Sequence, residues 1–373
     1  MSILGEIRCH RAYYYCHRCG QGLFPWDEEV GLTPKRLTPG AEELVTLGGT
    51  VCDSFAETAE KLLPKMAGLH VSESTAQRTA EAAGERLGEH LHQGGTLADS
   101  PPWTWHADAQ GRTCAYVSID LTGVPQQALG GGPAEGRMPY VAMIYNAVPE
   151  LPETADPPAA GAEQQARYLA GLYDLDGLGL ELRRQAAQVG MEQAEVWIGL
   201  SDGGHGLEDF VRQNFARDPI LILDFYHASE YLFDLSKLYH PHDEDAAKEL
   251  GQQWCHTMKH EGGAAILEVL RRLTVPPRRV ELREQWETTL GYIEKNQHRM
   301  DYPSYLANGW LIGSGSVESA CKTVVGQRLK LAGMRWGEDG TDAMCHLRAM
   351  FKSERGQWEA FWRRQLNKPA DRN

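Results

Sequence analysis

Two short apolar runs, VWIGL at 196–200 and ILIL at 220–223, flank one amphipathic stretch at 207–215. Each run is too short for a stable helix and is rich in branched, strand-forming residues. Parallel strands need a crossover connection, and a helix is the usual one, so the segment predicts a strand-helix-strand unit and an α/β fold. Each run delivers an acid where it ends, Asp202 after the first and Asp224 after the second, with His227 three residues on. An Asp-Gly after a strand is usually a turn. Two acids at equivalent places in one unit instead point to a site, because ligands bind at the carboxyl ends of parallel strands.

The residues before this unit supply further strands. The alternating run 114–120 ends on Asp120, and a second strand is expected at 140–146, reached through the glycine-rich LGGGPAEGRMP. Residues 149–164, rich in Pro and Ala, read as a loose excursion, and 166–189 as helix interrupted near 174–179. After the unit, 228–311 is helical in pattern, with Leu250, Trp254 and Met258 on one stripe and Trp286, Leu290 and Ile293 on another. His256 and His260 stand one helical turn apart, a spacing that a solvated face explains. In 312–336, Ser314 or Ser316 is the expected N-cap of a helix whose buried stripe is Val317, Ala320, Cys321, Val324 and Val325. Glu318 then falls in the first turn, where the helix dipole favours an acid. Lys322, Arg328, Lys330 and Arg335, arriving with Trp336, suit a phosphodiester backbone and a stacked base.

At the start of the chain, Cys16-His17-Arg18-Cys19-Gly20 is half of a zinc ribbon. Tetrahedral zinc needs four ligands, and only Cys9, His10 and His17 lie nearby, with no second knuckle. Residues 38–92 are helical in pattern. Ser54 caps one helix, Gly68 turns the chain and Ser72 caps the next, the outline of a helix-turn-helix or of an ordinary helical hairpin. In a helix-turn-helix, Ser74, Thr75, Gln77 and Arg78 would face the groove of DNA.

The net charge of −14 opposes indiscriminate binding to a polyanion. From 322 onward, however, eleven Lys and Arg stand against six acids, so a basic face on an acidic protein is expected. The scattered cysteines are a poor disulfide framework. Without a membrane-length apolar run or the apolar core of a secretory signal, the cytoplasm is the expected compartment.

Asp120 and Asp202 end strands, and Glu318 opens a helix beyond a long helical insertion, the order a ribonuclease H-like fold requires. A few carboxylates can hold a pair of hard Mg²⁺ or Mn²⁺ ions and leave positions for phosphate and water, as two-metal phosphoryl transfer needs. The segments HRCGQGLFPWDEEVGL, SIDLTGVP, LSDGGHG, DFYHASEYL and above all GSGSVESACKTVVGQRLKLAGMRW resemble bacterial insertion-sequence transposases of the ISKra branch of the DDE superfamily. The resemblance runs over nearly the whole chain. It implies a partial zinc-ribbon-like segment at 1–37, a helix-turn-helix at 38–95, a ribonuclease H-like domain at 103–227 and 313–373, and a helical insertion at 228–312. It also implies Mg²⁺-dependent cutting and joining of DNA, with terminal repeats and target DNA as partners, a homo-oligomer, and association with the nucleoid. Asp120, Asp202 and Glu318 fall on the catalytic positions, with Asp224 and His227 in support and Asp224 the alternative second acid. Relatives carry more sequence ahead of the Cys16/Cys19 knuckle, so a shortened start is expected to compromise the zinc site. The competing expectations are a remnant that binds DNA without cutting it and a nuclease that hydrolyses but never joins.

Overall fold

The run CAYVSIDL forms the middle strand of the main sheet, β1 (Cys114–Leu121). The computed structural model describes residues 1–3, 7–32, 37–97, 102–128, 130–149, 164–204, 206–215 and 218–366. On one side β1 pairs antiparallel with β2 (Tyr140–Asn146), which pairs antiparallel with β3 (Gln165–Gly171). On the other side β1 pairs parallel with β4 (Val196–Ser201), and β4 pairs parallel with β5 (Ile220–Leu223). The sheet order is therefore β3-β2-β1-β4-β5. The helix Leu207–Asn214 makes the crossover between β4 and β5 that the sequence predicts.

The register of the parallel strands positions the acids. Ser118 of β1 lies opposite Leu200 of β4, and Ser201 lies opposite Leu223 of β5. Continuing each strand by one or two residues brings Asp120, Asp202 and Asp224 to the same edge of the sheet. The Asp224 amide donates to the Ser201 carbonyl at 2.9 Å, fixing the last two of these strand ends together.

The expected helix over 166–189 is corrected in its first part. Gln165–Gly171 is the edge strand β3, and the helix is Leu175–Gln188, capped by the Asp174 carboxylate on the Gly177 amide. In β3 the alternate residues Arg167 and Leu169 are buried, and a buried arginine conceals the period of two on which a strand reading depends. The expected excursion at 149–164 lies almost wholly outside the described residues.

After β5 the chain enters the helices Phe225–Tyr239, Glu244–Glu261, Gly263–Arg271 and Val280–Asn296, and returns through Tyr302–Ala307. Tyr302 donates its hydroxyl to the Leu223 carbonyl at 3.1 Å, and the Phe225 amide donates to the Ile312 carbonyl at 2.8 Å. These bonds return the chain to the end of β5. The next helix runs as Gly315–Ala320, a π segment Cys321–Gly326, and Gln327–Leu329.

Ser54 and Ser72 cap as expected, accepting from the Glu57 and Thr75 amides, and Gly68 turns the chain at φ 60°. The second helix of this pair, Glu73–His92, lies along Glu338–Lys352, which in turn packs on β3. A Cβ on Gly84 would stand 2.2 Å from the Ala343 carbonyl oxygen, so the glycine permits this approach. Leu87, Leu91, Leu347 and Phe361 belong to the same core as the sheet, and the segment 38–92 does not form a core of its own. Among the described residues no helix is long and apolar enough to cross a membrane.

Candidate active site

Asp120, Asp202, Asp224, His227 and Glu318 line one cleft of about 290 Å³ at the carboxyl edge of the sheet, together with Tyr226, Glu230 and Ser314. Four separate stretches of chain thus meet. β1 brings Asp120, the loop after β4 brings Asp202, the first turn after β5 brings Asp224 and His227, and the helix beyond the insertion brings Glu318.

The acids are held in different ways. Asp224 is 1% exposed and caps the helix Phe225–Tyr239, its Oδ1 accepting from the Tyr226 amide at 2.7 Å and the His227 amide at 3.3 Å. Its Oδ2 accepts from the Ser314 hydroxyl. Asp202 is half-buried, and its Oδ1 accepts from the Gly204 amide at 2.8 Å. Glu318 is exposed. Asp120 Oδ1 accepts from the Leu121 amide at 2.7 Å, and its Oδ2 lies 3.5 Å from the Cys321 thiol, which donates to it. Burial raises the Asp120 pKa above the ordinary aspartate value, and the nearby Asp202 charge adds to the rise while His227 opposes it. Burial likewise pushes the Cys321 thiol up, keeping it protonated as a donor.

Ser314 stands at the N-cap position, as expected, its carbonyl accepting from the Val317 and Glu318 amides. No helix N–H bonds to its side chain, and its Oγ lies instead between Asp224 Oδ2 and Glu318 Oε1, 2.7 Å from the latter. A hydroxyl carries one proton, so it serves one carboxylate at a time and leaves the other facing a lone pair. Residues Ser314, Cys321 and Tyr226 join the site without having been assigned to it from sequence. The i,i+4 spacing of Ser314 and Glu318 is the one signal that could have flagged the first of them.

The expected DNA contacts divide. Lys322, Lys330 and Arg335 are exposed, and Lys330 Nζ donates to Thr122 Oγ1 at 3.0 Å, close behind Asp120 in the chain. Arg328 and Trp336 are corrected. Arg328 is 1% exposed, donates to the Gly49 carbonyl at 2.9 Å and lies over the Phe55 and Trp336 rings. Trp336 is buried as well, and its indole donates to the Leu329 carbonyl at 3.1 Å. Both are interior ties between the Glu318 helix and the N-terminal helices, so neither presents a surface to nucleic acid. Arg348 is a third such tie, reaching the Thr323 and Val324 carbonyls inside the π segment and the Thr50 carbonyl of an N-terminal helix. Of the helix-turn-helix residues, Ser74 and Arg78 are exposed and Thr75 and Gln77 half-buried. Gln77 donates to Glu81 at 2.9 Å, and Arg78 opens onto a groove lined by Glu81, Glu85, Glu89, Asp339 and Asp342. That groove repels a phosphate backbone.

Cys16 and Cys19 lie in the turn of a hairpin, Tyr14–Tyr15 against Gly22–Leu23, and both are exposed. The Cys19 backbone N–H, and then its side chain, hold the Cys16 thiol below its ordinary pKa. Among the described residues no three His, Cys, Asp or Glu side chains stand in ligating positions around one point, at the hairpin or in the cleft. The chemistry of the cleft still suits a hard divalent cation. Its donors are carboxylate oxygens, and the side chains lining it include five acids against one imidazole.

No family model matches the chain, and no curated protein does.

Proposed function

We propose that this protein is a DDE transposase with a ribonuclease H-like core, cutting and joining DNA by metal-dependent phosphoryl transfer. The observation that carries the reading is the meeting of Asp120, Asp202 and Glu318 in one cleft, from segments that are far apart in the chain. The sheet order β3-β2-β1-β4-β5, with β1, β4 and β5 parallel and β2 antiparallel between β1 and β3, supports the ribonuclease H-like assignment.

In this reading Asp120, Asp202 and Glu318 hold a pair of Mg²⁺ or Mn²⁺ ions. Such ions would polarise the scissile phosphate and lower the pKa of the attacking water. Asp224 is a positioning residue, since both its oxygens are engaged, one by its own helix and one by Ser314. Asp202, with its carboxylate less encumbered, is the better second ligand. Ser314 steers the Glu318 carboxylate, and the Cys321 thiol orients that of Asp120. His227 adds an imidazole to the cleft and lies 3.4 Å from Glu230. Lys322, Lys330 and Arg335 are the cations that would take the DNA backbone. Two DNA ends must be held together for joining, so the working form is an oligomer on DNA. Zinc at Cys16 and Cys19 would need ligands from elsewhere.

The test is incubation of purified protein with Mg²⁺ and a supercoiled plasmid carrying the DNA that flanks its gene. Joined products that vanish in Asp120→Ala and Glu318→Ala support the proposal. Hydrolysis without joining reduces it to a nuclease, and binding without cleavage to a DNA-binding remnant.

A further inference from the structure

The cleft carries one large exposed side chain whose place the carboxylates do not explain. Tyr226, between the cap Asp224 and the imidazole His227, is 64% exposed and lines the same cleft as Asp120 and Glu318. It is not a loose surface residue. A Cβ built on Gly313 would lie 2.5 Å and 2.6 Å from two of its ring carbons, so the ring rests against bare backbone that only glycine supplies. The Phe225 ring meets it edge-on, at 5.6 Å between centroids and 78° between planes. The two backbone stretches beneath it are fastened to each other by the Phe225 amide on the Ile312 carbonyl and by Ser314 on Asp224. The tyrosine is thus seated, and most of it is open to solvent.

A seated, open aromatic ring beside an acidic cleft suited to divalent cations has a natural ligand. Every nucleobase has a π face that stacks on an aromatic side chain whatever the sequence. A base inside a duplex is covered on both faces by its neighbours, so the ring can take only one that is unpaired and out of the stack, as at a strand end or a locally opened step. The chemistry proposed above brings a strand to this ring, because its phosphate must enter the cleft that Tyr226 lines. We infer that Tyr226 is a stacking platform for an unpaired nucleobase of the strand whose phosphate enters the cleft. The inference rests on the phosphoryl-transfer reading and adds to it a base-binding residue that is not a cation ligand.

The test compares two probes with the same phosphates: a short oligothymidine strand and a strand of equal length built from abasic residues. Their backbones contribute the same electrostatic attraction, so the difference in affinity isolates the bases. By fluorescence anisotropy at low salt with Mg²⁺ present, the full-length protein is expected to prefer the thymidine strand by about 5- to 150-fold. Tyr226→Ala should abolish the preference and Tyr226→Phe should keep it, since stacking needs the ring and not the hydroxyl. Thermal melting of both variants should match that of the parent, because the side chain is largely exposed. A preference that survives in Tyr226→Ala, or is lost in Tyr226→Phe, overturns the inference. If the parent binds both strands equally, the platform fails while the phosphodiester reading stands. If it binds neither, that reading fails and the platform with it.

Discussion

Ser314 Oγ lies 2.7 Å from Glu318 Oε1, one helical turn away, and its other neighbour is the buried carboxylate of Asp224. One hydroxyl therefore couples the acid at the end of β5 to the acid beyond the insertion. Removing it in Ser314→Ala leaves a buried Asp224 oxygen without its donor. Hydrogen bonds to charged groups contribute about 1.5–3 kcal/mol, and urea unfolding should show a loss of that size. Cleavage should fall in the same variant, with Ser314→Thr recovering part of both.

Asp120 has a pH signature. Burial, assisted by Asp202, raises its pKa in the folded protein. The folded state therefore holds that proton more tightly than the unfolded chain does, and the protonated acid stabilises the fold at low pH. This contribution is lost as pH climbs from the ordinary aspartate value, about 3.9, through the higher folded value. Once ionised, Asp120 is thus a cost. Asp120→Asn should melt higher than the parent near pH 7, lack this component of the pH dependence, and be inactive.

The two strand-end aspartates should separate when mutated. Asp202→Asn should abolish cleavage without lowering the melting temperature, since among the described residues its carboxylate accepts only from the Gly204 amide and its charge opposes that of Asp120. Asp224→Ala removes a helix cap and should cost about 0.5–2 kcal/mol of stability. Asp224→Asn, which can still cap, should keep the fold. Denaturant unfolding and a plasmid cleavage assay on the same preparations would read both effects.

Arg167 tests the placement of β3. Its guanidinium is buried, bonds Glu354 through Nε at 3.0 Å and again through a terminal nitrogen, and reaches Gln185 at 3.2 Å. It joins the edge strand to Leu175–Gln188 and to the end of Glu338–Lys352. Arg167→Ala strands the Glu354 carboxylate at the edge of the core and should cost about 3–5 kcal/mol, measured by far-UV circular dichroism in denaturant.

Arg167 also shows why part of the fold was legible in the sequence and part was not. β1, β2, β4 and β5 are apolar runs that end on polar or turn residues, and local pattern alone places them. β3 inverts the pattern, with a charge where alternation calls for an apolar residue and with Ala166, Leu169 and Ala170 at helical spacing. Its strand state rests on the ladder with β2, and its buried charge on Glu354, distant in the chain. The acids of the site were legible because each stands at the start or the end of a recognisable element. The roles of Arg328 and Trp336 were not, because a basic residue followed by an aromatic reads the same on a nucleic-acid surface as in an interior cation-π stack. Phe55 and the Gly49 carbonyl decide between the two, and neither is local. Ser314 was legible as a helix-start residue but not as a bridge, since its second partner lies across the insertion.

Asp120, Asp202 and Glu318 are proposed as a divalent-cation site. Titration of the full-length protein with Mn²⁺, followed by the loss of the free-ion electron paramagnetic resonance signal, tests it without requiring turnover. Binding in the parent should be saturable, competed by Mg²⁺ and weakened at least about tenfold in both Asp120→Asn and Glu318→Gln, since each removes a charged ligand. Saturable binding that is unchanged in both variants, or its absence in the parent, would mean that these acids hold no cation.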